Sequence, residues 1–143
     1  MNNLTRIDLA LTEWETRIAA MDAVEVMDAL DLTKLTTARA HQFVSVEFPE
    51  TVNTGEYRDA AAARVTDTVT LQTAFRIRKG EQKTSRREAY AWTASLTAHV
   101  CDYAFRPEWQ IHFVSEQRAR VGEWVTSTQT YTMRRDQRLM STE

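Results

Sequence analysis

The stretch Val65-Thr66-Asp67-Thr68-Val69-Thr70-Leu71-Gln72-Thr73-Ala74-Phe75-Arg76-Ile77-Arg78 decides how this chain is read. Val65, Val69, Leu71, Thr73, Phe75 and Ile77 stand at odd positions. Thr66, Thr68, Thr70, Gln72, Ala74 and Arg76 lie between them. Side chains alternate faces along a strand, so this period predicts one face on a core and the other toward water or a partner. A strand of about 13 residues exceeds the usual length of roughly five or six and would protrude as a ribbon unless another subunit covered it.

Upstream, His41–Pro49 reads as a strand, with Val44, Val46 and Phe48 on one face. Pro49 is expected to end it, because proline cannot donate to a ladder. Residues 49–63, with Asn53-Thr54-Gly55-Glu56 and a run of alanines, have no strand period and read as an extended loop. Nearer the start, Leu4, Ile7, Leu11, Trp14, Ile18 and Met21 recur at helical spacing, with Asn3 or Thr5 as the cap. Such a stripe predicts a helix packed on a sheet. From Asp22 to Leu30 the pattern blurs, as a continued helix or a short turn would.

Downstream, Lys79-Gly80 ends the long strand, and Thr84 or Ser85 is the expected N-cap, Ser85 with Glu88 fitting a capping box. A helix is predicted from there to about Tyr103, with Trp92, Leu96, His99, Val100 and Tyr103 as its buried stripe. Trp109–Arg120 and Trp124–Arg134 read as strands joined by a tight hairpin at Val121-Gly122-Glu123. Residues 135–143 read as a frayed polar tail. The expectation is a single α+β domain over 1–143, with an antiparallel four-stranded sheet and two helices packed on one face, in the order α-β-β-α-β-β.

Composition narrows function by exclusion. Of 143 residues, 43% are hydrophobic and 27% charged, which excludes a disordered chain. No apolar run approaches the roughly 20 residues of a membrane span, and no signal peptide is expected at Met1. Cys101 is the sole cysteine, so no intrachain disulfide can form. Net charge is −2, unlike proteins held to nucleic acid by bulk positive charge. Arginine (15) far exceeds lysine (3), which suits protein–protein contacts and equally reflects a GC-rich genome.

No constellation points to catalysis. His41, His99 and His112 fall on different elements, and Cys101 would point about 200° away from His99 around a helix. No GxSxG, HExxH, GxGxxG or phosphate loop occurs. No catalytic residue, cofactor or metal is therefore expected. Arg76, Arg78, Lys79, Lys83, Arg86 and Arg87 form a basic cluster that reads three ways: a solvated face paired with Glu81 and Glu88, a subunit interface, or a phosphate contact. Thr66/68/70 and Thr126/128/130/132 line polar strand faces that water, a neighbouring sheet or a ring lumen would tolerate. Trp109, Trp124 and Tyr131 read as core or as interface anchors.

Four segments carry a family resemblance: Phe43–Glu50, the glycine-containing Asn53–Asp59, Asp67–Lys79 entering the helix from Ser85, and Gly122–Met133. In their order and texture the chain resembles the tail terminator (tail completion) proteins of long-tailed bacteriophages and related phage-like particles. The resemblance implies a homo-oligomeric hexameric ring in the virion, assembled in the host cytoplasm. That ring would cap the tail tube, end its polymerisation and offer a joint to the head connector, while DNA passes through the lumen without specific binding. It carries over no catalytic residues. Residues 49–63 become the candidate contact with the tube or a neighbour. The interface candidates are Asn53, Glu56, Tyr57 and Arg58 with Arg76, Arg78, Arg86 and Arg87. The rival readings are another neck subunit, a nucleic-acid-binding module built on the Arg76–Arg87 cluster, and a small-ligand enzyme or steroid-pocket-like α+β domain, for which the pattern shows no acid or histidine set in a cavity.

Overall fold

A computed structural model of the chain describes residues 7–32, 42–59, 62–77, 80, 82–101 and 109–138. Its elements are α1 (Ile7–Ala19), β1 (Val24–Met27), β2 (Gln42–Asp59), β3 (Ala62–Arg76), α2 (Gln82–Cys101), β4 (Gln110–Val121) and β5 (Trp124–Arg138). The sheet has five strands in the order β1-β2-β3-β5-β4. β1 runs parallel to β2, and the remaining pairs are antiparallel. The expected antiparallel four-stranded sheet in α-β-β-α-β-β order is thus corrected to a mixed five-stranded one.

The extra strand comes from the segment where the helical pattern blurred. Met21 N–H donates to the Ile18 carbonyl at 3.0 Å, and Ala23 takes φ 60°. A left-handed alanine costs about 1 kcal/mol, so the reversal there is held by the pairing and packing of β1. Val24 and Val26 pack against the main core, while Met27 faces the other side of the sheet.

β2 does not stop at Pro49. It continues to Asp59 through three register shifts, between Glu47/Glu50, Asn53/Tyr57 and Tyr57/Asp59. Pro49 sits inside the first of these, where a missing N–H interrupts no ladder bond. Most of residues 49–63, expected as a loop, is therefore the far half of a long hairpin. β5 likewise runs four residues past the expected Arg134, into the predicted tail.

Both helices pack on the odd-numbered face of β3. Ala10, Trp14 and Ile18 of α1 and Ala89, Trp92, Leu96 and Val100 of α2 meet Val44, Val46, Val69, Leu71, Phe75, Tyr131 and Met133. Trp14 anchors this layer. Its ring meets Tyr131 and Phe48 edge-on, at 5.9 and 6.2 Å, and its indole N–H donates to Met133 sulfur at 3.2 Å. His99 Nε2 lies 2.7 Å from the Arg17 carbonyl and ties α2 to the last turn of α1. The predicted stripe of α1 shifts, for Ile7 is 39% exposed and Ala10 takes its place inside. Leu4 and the caps Asn3 and Thr5 lie outside the described residues, as does Tyr103. α2 begins at Gln82, so Ser85 is a buried first-turn residue and not the cap.

Gln129 and Tyr131, polar residues of the covered face, find their partners within the chain. Gln129 Nε2 donates to the Thr93 carbonyl and Thr97 hydroxyl at 3.0 and 3.1 Å. Tyr131 OH bonds Thr97 and Gln129 Oε1 at 3.0 and 2.7 Å. Asp67 and Arg135 form a fully buried ion pair, with contacts of 2.5 and 3.2 Å, and the Thr51 hydroxyl donates to Asp67 as well.

The reverse face differs. Thr66, Thr68, Thr70, Thr126, Thr130 and Thr132 are half-buried there, and Thr128 is exposed. One small cluster covers one end of it, where Phe43, Ala74 and Trp124 meet Met27, Leu30 and Leu32. Trp109, Trp124 and Tyr131 are all buried, so none is a surface anchor, but Trp124 serves this second cluster and the other two the main core.

Candidate functional site

β4 is an edge strand, and a bulge decides which of its side chains meet α2. Between Phe113 and Ser115 the register slips by one residue, leaving Val114 out of the ladder. Beyond that point Glu116, Arg118 and Arg120 pair with Gln129, Ser127 and Val125, and so share the helix-covered face. There they meet Arg86 and Tyr90 from the first turns of α2. Arg86, Tyr90, Arg118, Ala119, Arg120 and Val125 line a cleft of about 230 Å³.

The cleft is electropositive. Arg118 Cζ lies 5.2 Å from the centre of the Tyr90 ring, a cation–π contact between β4 and α2. Glu116 accepts from Arg118 Nη2 at 2.9 Å and offsets one of the three arginines; its other carboxylate oxygen is buried without a hydrogen-bond partner. Arg120 Nε donates to the Gly122 carbonyl at 3.4 Å. Arg86 and its neighbour Arg87 stand exposed in the second turn of α2. The same two elements carry exposed apolar groups. Of seven large hydrophobic residues exposed among the described residues, Tyr90, Phe113, Val114 and Val121 belong to α2 or β4.

The interface candidates separate in space. Asn53, Glu56, Tyr57 and Arg58 fall on the far half of β2, where Asn53 pairs with Val65 and Tyr57 with Ala63. Arg76 closes the opposite end of β3, roughly 35 Å away along the strand. It is tied to Glu123 of the β4–β5 hairpin at 3.2 Å, a solvent-exposed pair of small energetic worth. Arg86 lines the cleft, Arg87 lies beside it, and Arg78 with Lys79 lies outside the described residues. Arg76 stands at the same end of the sheet as the cleft, where it pairs with Trp124, and in the cleft Arg86 acquires Arg118 and Arg120 as companions. Two arginines two residues apart on a predicted strand were the available signal for them.

The remaining reactive groups are quiet. Cys101 is exposed at the end of α2. Partial desolvation pushes its thiol above the ordinary range, against the pull of a backbone hydrogen bond with Phe113. A thiol kept neutral is a poor nucleophile. Among the described residues no group of three His, Cys, Asp or Glu side chains is placed to hold a metal, and no helix is long and apolar enough to cross a membrane. No family model matches the chain, and no curated protein matches it.

Proposed function

We propose that this chain is a structural subunit of a tailed phage or phage-like particle. It forms a ring that caps the tail tube, ends its polymerisation and offers the joint to the head connector; another neck subunit is the close variant. The observation that carries this reading is the β4 edge. It is a 12-residue strand at the side of the sheet, flanked by exposed Phe113, Val114 and Val121 and by the arginine cleft. Soluble proteins blunt such edges or cover them, and Tyr and Arg with desolvated apolar groups are what protein interfaces favour. The threonine-lined reverse face adds a second polar surface able to meet water or protein. A net charge of −2 suits a channel that DNA must traverse without sticking and weighs against the nucleic-acid reading.

Light scattering on the size-exclusion eluate, with electron microscopy of the same fractions, tests the proposal. A ring of uniform size that blocks elongation of a polymerising tail-tube protein is expected. A chain that stays monomeric at all concentrations and leaves tube growth unchanged would overturn it.

A further inference from the structure

We propose that copies of this chain join head to tail through opposite edges of the sheet, the arginine cleft of one copy receiving the acidic α1–β1 edge of the next. The inference rests on the ring reading above and names the surfaces that make it.

The two edges match in position. β1 and β4 end the strand order, and each is flanked by one helix on the same face of the sheet, α1 beside β1 and α2 beside β4. Beside β1 a second cleft, of about 300 Å³, is lined by Glu15, Thr16, Ala19, Val26 and Asp28. The two edges are opposite in charge. From Glu13 to Asp31 the chain carries six acidic residues and one arginine. The other edge brings together Arg86, Arg118 and Arg120. Since the whole chain is nearly neutral, this is segregation of charge and not its excess.

Three arginines gather at one edge, one of them paired with Glu116, and Glu15 and Asp28 gather at the other, so each edge is a surface of the charge that the other would attract. Protection against aggregation alone would leave both edges short and charged. β1 has four residues and fits that account, but β4 has twelve, with three large apolar side chains exposed. A contact between two different patches is heterologous and repeats around a ring when its rotation closes.

Two charge reversals test the pairing: Arg118→Glu with Arg120→Glu on one edge, and Glu15→Arg with Asp28→Arg on the other. Particle mass is read by light scattering at low and high salt, with thermal melts by circular dichroism to verify folding. Each variant alone should associate at least tenfold more weakly than the parent chain. An equimolar mixture of the two should assemble again, because the new acidic edge of one fits the new basic edge of the other. Association of the parent chain should weaken as salt rises.

If both variants assemble like the parent, these edges are not the contact, though the ring reading stands. If either reversal abolishes assembly and mixing does not restore it, the two edges do not meet each other. Arg118→Glu with Arg120→Glu weakening binding to a labelled DNA duplex while leaving particle mass unchanged would assign the cleft to nucleic acid and overturn the proposal. A parent chain monomeric under all conditions would remove the ring reading itself.

Discussion

The two faces of the sheet are made of the same strands and solve different problems. The helix-covered face holds Trp14, Tyr131, Leu71 and Met133 at 0% exposure and returns the hydrogen bonds of Gln129 and Tyr131 to the chain itself. Among the described residues the reverse face is finished at one end, by Phe43, Ala74 and Trp124, and elsewhere shows rows of threonine. One face is closed by its own helices. Among the described residues the other is covered only in part, so the two faces contribute unequally to the core.

The sharpest way to break that division is the buried ion pair. Asp67→Ala should destabilise the fold by roughly 3–5 kcal/mol, since it removes the buried carboxylate that pairs with the Arg135 guanidinium. Replacing both partners by apolar residues of similar volume should recover most of that loss, as judged by denaturant midpoints. A smaller contrast comes from the two tryptophans. Trp14→Ala should cost about 3–5 kcal/mol, by transfer and cavity terms together. Trp124→Ala, in the lesser cluster, should cost about 2–3 kcal/mol. Equal losses would mean that the reverse face carries a core of its own.

Smaller still is the effect of pH. Desolvation holds the Tyr131 phenol well above its usual range. An unfolded tyrosine ionises near about 10, so the stability tied to neutral Tyr131 is complete below that pH and falls as pH rises through it toward the native value. Tyr131→Phe should lose about 1 kcal/mol at neutral pH with its hydrogen bonds, and should flatten the alkaline limb of the stability profile. Smallest of all, Thr128→Val on the reverse face should change the stability of the monomer by less than about 0.5 kcal/mol. A shift several times larger would show that this face is covered.

Short-range patterns were legible in the sequence, and long-range ones were not. The alternation from Val65 to Ile77 identified β3 and its buried face, because period two is a local property of the backbone. The hairpin at Gly122 was readable for the same reason, and Gly122 does take φ 59°. β1 escaped notice because four residues carry too little period to tell a strand from a helical turn, and its parallel pairing lies with residues 18 positions away. The far half of β2 was hidden by bulges that break alternation at Pro49 and around Gly55. The buried ion pair left a trace: Asp67 is the charged gap among the odd residues, but Arg135 stood just past the expected end of its strand. At the candidate site, Arg86 was singled out from sequence. Its companions Arg118 and Arg120 required the slip at Val114 and the packing of α2, neither of which a run of residues displays.

β5 lies in the middle of the sheet but comes after every other described strand in the chain. Its ladder with β3 runs from Ala62↔Arg138 to Arg76↔Trp124 without a shift, and β4 pairs with no other described strand. During synthesis, then, β4 has no scaffold until β5 has left the ribosome and slotted in beside β3. A copy cut short before Trp124 would lack both the wedge and the docked edge, so unfinished chains are excluded from any assembly that depends on that edge.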